Sequence, residues 1–209
     1  MGVDEQRFVV HKSLICASSA FFKAACSGTW KENEEKIVRL PEQLPESFEV
    51  YLHMLYTGTF DIWGDDEEAL IATCKDTANG KSTNLFNRII SCFVLGDVTR
   101  DARFCNRAVD GLIESMNKVN CVPGPTVISK HWDNLPSGCA MRRLLVDCVA
   151  HSVSYDHMVE RAEQFPQSFI TGVALAGVRD RNLALKDKVY ARKSKCYYHE
   201  HVSDEDRCA

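Results

Sequence analysis

No apolar run in this sequence approaches the roughly eighteen residues that a bilayer-spanning helix requires. A basic excess is missing too: 25 Lys and Arg stand against 29 Asp and Glu, for a net charge of −4. General nucleic-acid and membrane-surface binders carry the opposite balance, so both classes are excluded as expectations. The opening Met1-Gly2-Val3-Asp4-Glu5-Gln6 lacks the basic and apolar regions of a secretory leader. Gln6 stands where a myristoylation signal would need Ser or Thr. An intracellular protein, cytoplasmic and/or nuclear, is expected. Its 209 residues suit one domain with a substantial extension, or two small ones.

Cysteine, by contrast, is plentiful, with ten in the chain. Cys16, Cys26, Cys92, Cys105 and Cys148 sit among apolar residues at helical spacing, where a free thiol behaves as a small hydrophobe. Without a secretory leader, reduced thiols are expected rather than a disulfide scaffold.

The alternating run Phe8-Val9-Val10 stops at His11-Lys12 and gives way to helix-period residues through Phe21-Phe22. That pattern predicts a strand leading into a helical hairpin, with Ser18 or Ser19 capping its second helix and Gly28 ending it. Ile37 to Leu40 alternates as a second strand before Pro41, and Pro45 suits a first helical turn. Phe48, Tyr51, Leu52, Leu55 and Tyr56 form one helical stripe closed by Gly58. Asp76 to Asn84 reads as an exposed polar insertion. Helical order resumes at Leu85 and breaks at Gly96-Asp97, and Asp101 caps a helix with Phe104, Cys105, Ala108, Val109, Leu112, Ile113 and Met116 inward. Pro123-Gly124-Pro125 reads as a stiff linker, and Ser137 or Gly138 begins a helix burying Met141, Leu144, Leu145, Cys148 and Val149. Tyr155 to Phe165 follows. Ser168 to Val178 then places Phe169, Ile170, Val173, Ala174 and Gly177 on one stripe.

Phe8-x-Val10-His11-Lys12, Ser19-x-Phe21-Phe22, Ile37-x-x-Leu40, Pro45-x-x-Phe48 and Leu55-Tyr56-Thr57-Gly58, in that order, resemble the BTB/POZ domain. Phe93 to Asp97 with Asp101 to Asn106 is similar to the helix pair that follows it in fungal-type members. The resemblance implies a helix-dominated α+β fold: a small sheet with helical hairpins, plus an α-helical C-terminal extension. The expected organisation is a domain over 1–117 with an insertion near 61–84, a helical extension over 118–182, and a flexible tail over 183–209, basic and Cys/His-containing. The family's usual first strand precedes the Phe8 strand. Here only Val3 to Arg7 remain of its turn, so an exposed strand edge, lower stability and stronger self-association are expected. The resemblance also implies protein partners, through homodimerisation, transcription-associated scaffolding or a cullin-type ubiquitin-ligase adaptor role. No direct nucleic-acid, membrane or small-molecule partner is expected.

Three arrangements could carry chemistry. Asn79-Gly80-Lys81-Ser82-Thr83 ends like a phosphate loop, but Lys75 stands where that loop needs glycine. His11-Lys12 is neighbouring but has no carboxylate to orient the imidazole, and the resemblance makes this pair structural. Cys196, His199, His201 and Cys208 follow the pattern C-x2-H-x-H-x6-C, which has zinc-ligand types without a standard finger spacing. A tail zinc site, or a small Cys/His-dependent enzyme, is the alternative; an unstructured polar end is the simpler reading. No catalytic, cofactor-binding or metal residue is therefore expected, and no cofactor.

Overall fold

The computed structural model describes residues 6–27, 35–63, 81–180, 195–201 and Cys208. Helices dominate. A hairpin of α1 (Lys12–Ser18) and α2 (Ala20–Ala25) precedes α3 (Pro45–Thr57), and a long antiparallel pair follows, α4 (Lys81–Thr99) and α5 (Ala102–Val119). Then come α6 (Pro125–His131), α7 (Ala140–Ser152), α8 (Tyr155–Arg161), α9 (Gln167–Arg179) and the single turn α10 (Lys195–Tyr198). Short 3-10 turns at Trp132–Asn134 and Ala162–Gln164 extend α6 and α8.

Local chemistry explains most of the boundaries. Ser19 ends α1 and its hydroxyl accepts the Phe22 N–H at 3.1 Å, capping α2. Pro45 occupies the first turn of α3, where its missing N–H leaves nothing unpaired. Gly58 closes α3 at φ 78°, a conformation that suits glycine, and its N–H reaches the Met54 carbonyl at 2.8 Å. Asp101 caps α5 by accepting the Phe104 N–H at 3.0 Å.

The two expected strands are corrected. Among the described residues, Phe8–Val10 and Ile37–Leu40 are extended but join no backbone ladder. Their alternation is real: Phe8 and Val10 turn inward while Val9 is exposed, and Val38 and Leu40 turn inward while Ile37 and Arg39 face out. Period-two patterning reports an extended chain buried on one side, and here helices supply the covering surface. The Phe8 ring packs 5.0 Å from Phe48 of α3.

Gly96 does not break its helix. A Cβ there would stand 2.7 Å from Cys105 Sγ and 3.1 Å from the Cys105 nitrogen, so glycine lets α4 cross α5 closely while α4 runs on to Thr99. The polar run expected as an insertion to Asn84 already belongs to α4 from Lys81. Ile62 is buried and Trp63 lies under the Lys118 ammonium, 5.0 Å from its ring centroid, so 61–63 belong to the packed body. The rest of that insertion, 64–80, with Asn79 and Gly80, lies outside the described residues, as does Gly28.

Pro125 begins α6 rather than a linker, and Cys139 caps α7 through its thiol, which accepts the Arg142 N–H at 3.4 Å. On α9 the inward residues are Phe169, half-buried Val173 and Ala176, while Ala174 and Gly177 are exposed. On α3 Val50 and Met54 are buried and Tyr56 is exposed, because this helix packs against α1 on one side and α4 on another.

One apolar cluster runs from Ile15 to Tyr198. An aromatic chain links Phe22, Phe48, Tyr51 and Phe104, with the Tyr51 and Phe104 centroids 4.8 Å apart. At the other end Trp132 meets Phe169 edge-on at 5.0 Å, and its indole N–H donates to Ser168 Oγ at 2.7 Å.

Candidate docking groove and C-terminal Cys/His cluster

A groove of about 850 Å³ opens between the α1–α2 hairpin, the first turns of α5 and the C-terminal segment 199–201 with Cys208. Lys23, Arg103, Arg107, Asp110 and Glu200 line it, giving a wall of mixed charge. A buried polar knot holds its base. The Ser18 hydroxyl and the Tyr51 hydroxyl both donate to Asp101 Oδ2, the latter at 2.9 Å, and the Ser19 hydroxyl donates to the Thr99 carbonyl. Every donor in this knot finds an acceptor, which is the condition for burying polar groups without a large desolvation cost. Burial, with the Asp101 charge second, pushes the Tyr51 hydroxyl well above its ordinary pKa, so it stays a donor.

The C-terminal segment forms the far wall. Cys196–His201, expected within a flexible tail, is packed: Tyr198 is 1% exposed and its hydroxyl donates to Asp147 Oδ2 at 2.7 Å. The reason is aromatic burial, since a ring of this size gains more from a core site than chain ordering costs locally. Asn106 then pairs with the Glu200 backbone, donating to its carbonyl at 2.9 Å and accepting its N–H at 2.8 Å. Arg143 donates to the Tyr197 carbonyl at 3.3 Å. The remaining tail residues, 183–194, 202–207 and 209, lie outside the described residues.

Arg179 closes a second polar group, reaching Asp147 and Asp180 at 2.6 Å each, while His151 Nε2 stands 3.0 Å from Asp180. Asp147, His151 and Asp180 could ligate a cation, yet the guanidinium already sits on both carboxylates.

The structure gathers the residues of the sequence pattern C-x2-H-x-H-x6-C. Ligand atoms of Cys196, His201 and Cys208 lie within 4.8 Å of one another, and His199 Nδ1 is 2.9 Å from Cys208 Sγ. The interior cysteines are chemically quiet by comparison. Burial pushes the Cys92 thiol up to about 12 and raises Cys105 and Cys148 as well, far from nucleophilic thiolates. His11 and Lys12 hold structure: His11 Nδ1 pairs with the Tyr56 hydroxyl at 2.7 Å, and Lys12 donates to the Cys26 carbonyl at 2.6 Å.

Sequence reasoning missed α6, the Asn106–Glu200 pairing and the docking of Tyr198. The one signal for the last was Tyr197-Tyr198, two adjacent aromatics in an otherwise polar end.

Stacked helices around a continuous core, with an open groove of mixed charge at the surface, define a helical scaffold. The family model for the BTB/POZ domain, a protein–protein interaction module, matches residues 1–76. No solved structure matches the chain. Among the described residues, no helix is long and apolar enough to cross a membrane.

Proposed function

We propose that this chain is a non-enzymatic protein–protein interaction module that self-associates through its BTB/POZ stretch. The domain spans 1–117, and 118–182 form a helical extension sharing its core. The observation that carries the reading is the fate of the motif residues. Phe22, Leu40, Phe48 and Tyr51 are buried in one cluster, while the same segments leave Val9, Ile37, Leu44 and Tyr56 exposed. Val9 is 99% exposed, on an extended segment whose backbone joins no ladder among the described residues. An uncovered apolar edge of this kind is a pairing surface for a second chain. The high thiol pKa values at Cys92, Cys105 and Cys148 speak against nucleophilic catalysis. A cullin-type adaptor role would use the same stretch.

Sedimentation equilibrium across a wide concentration range tests this. Concentration-dependent association that Val9→Asp abolishes, with helicity unchanged, is expected. A strictly monomeric protein that also fails to bind a purified cullin N-terminal region in calorimetry removes both modes.

A further inference from the structure

The C-terminal end brings three borderline and soft ligands to one place, with a fourth beside one of them. Cys196 Sγ, a His201 ring nitrogen and Cys208 Sγ lie within 4.8 Å of one another, with His201 Nε2 4.0 Å from Cys208 Sγ. His199 Nδ1 stands 2.9 Å from the same sulfur. The second nitrogen of His199 is committed elsewhere: Nε2 lies 2.9 Å from Asp110 Oδ1 on α5. We propose that Cys196, His199, His201 and Cys208 bind one zinc ion in a tetrahedral structural site, with Asp110 orienting His199.

The donor chemistry points to zinc. Two thiolates and two imidazoles form a Cys2His2 set, the ligand class of closed structural zinc sites. With bond lengths of about 2.3 Å to sulfur and 2.0–2.1 Å to nitrogen, tetrahedral ligands sit about 3.3 to 3.8 Å apart, and a sulfur–nitrogen pair about 3.6 Å. The His201–Cys208 separation of 4.0 Å matches that span within a few tenths of an ångström, and the His199–Cys208 contact has to open by about 0.7 Å. The His199 and His201 ring centroids are 6.2 Å apart, which leaves room for an ion between them.

The Asp110 contact is the independent observation. A zinc-ligating histidine almost always donates its other N–H to a carboxylate or carbonyl, which selects the tautomer and aims the free lone pair. With Nε2–H donated to Asp110, Nδ1 carries the lone pair and faces the cysteine sulfur. The His199 side chain is only 7% exposed, so its ring is held in this orientation. On binding, each cysteine thiol releases its proton and each sulfur forms a bond to the ion. Two thiolates then balance the double charge of the metal beside two neutral imidazoles. Four protein ligands leave no open position for substrate, so the role is structural. The ion would clasp Cys208 to the turn that follows α10, and Asp110 would fasten that clasp to α5 along the groove.

The full chain is assayed with zinc ion alone. Elemental analysis is expected to find one zinc per chain, lost in Cys196→Ser and in Cys208→Ser and kept in Cys26→Ser. Cobalt substitution in the intact chain should give the intense visible bands of tetrahedral thiolate coordination, a readout that stands even if the serine variants unfold. Asp110→Asn should still saturate at one metal per chain, with affinity weaker by about 10–100-fold. A chain that takes up no zinc and gives no thiolate–cobalt bands overturns the proposal, including one whose Cys196 and Cys208 are joined as a disulfide. Zinc retained at full stoichiometry after both serine substitutions overturns it equally. Either result leaves the self-association reading standing.

Discussion

The Tyr51 hydroxyl donates to Asp101 Oδ2 at 2.9 Å across fifty residues of sequence, while Asp101 Oδ1 caps α5 through the Phe104 N–H. One buried carboxylate therefore ties the stretch matched by the BTB/POZ model to the start of the helix that follows α4. Tyr51 sits edge-on to Phe104 at 4.8 Å, so the same residue joins both the polar knot and the aromatic chain.

Tyr51→Phe keeps the ring and removes that donor. A hydrogen bond to a charged group contributes about 1.5–3 kcal/mol, so a loss of that size is expected in urea denaturation with the m-value unchanged. Asp101→Ala should cost more, because it removes the cap and leaves both the Tyr51 and Ser18 hydroxyls without their acceptor. Equal stability of Tyr51→Phe and the parent chain would refute the knot.

Gly96→Ala should destabilise by about 1–3 kcal/mol, since a methyl there meets Cys105 backbone and sulfur inside a packed crossing. Gly177, exposed on α9 with open space around its Cβ direction, makes the opposite comparison. Gly177→Ala should stabilise by up to about 1 kcal/mol through helix propensity alone. Thermal melts of the two variants should move in opposite directions.

His131 is buried, with Nε2 2.9 Å from Asn87 Oδ1, and burial lowers its pKa from 6.5 to about 4. Because the folded pKa is depressed, the unfolded chain binds the extra proton first as pH falls. This contribution to stability is therefore fully present above pH 6.5 and is lost progressively down to pH 4. The upper limit is roughly 3 kcal/mol. His131→Gln should flatten the stability profile in that window, and an unchanged slope in denaturation at pH 4.5 and 7 would contradict the assignment.

Tyr198→Ala should release the C-terminal segment from its site beside Asp147. A cost of about 3–5 kcal/mol is expected if the whole ring is lost from the core. Limited proteolysis should then cut near residues 195–201 in the variant while the parent resists there. Tyr198→Phe, which keeps the ring, should retain most of the protection.

Much of the helical body was readable from spacing. The inward face of α5, from Phe104 to Met116, follows the apolar period, and the Ser19 and Asp101 caps follow from their residue types. The extended segments show where such reading stops. Alternation at Phe8–Val10 identified which side chains are covered, but a ladder depends on a partner strand that period two does not specify. Gly96 shows the same gap: as a residue type it signals a break, while its actual use is a close crossing whose other half, Cys105, lies in the next helix.

Residue order by itself determined the register of α5, the caps at Ser19 and Asp101, the BTB/POZ motif series and the ligand types at the C-terminal end. Those properties are local, depending on neighbours within a few positions of the chain. Only tertiary packing decided that Tyr198 docks on Asp147, that Asp110 meets His199, and that Cys196, His199, His201 and Cys208 converge. Contacts across tens of residues arise because burying apolar surface folds distant segments together, and no periodicity along the chain records which segments those will be.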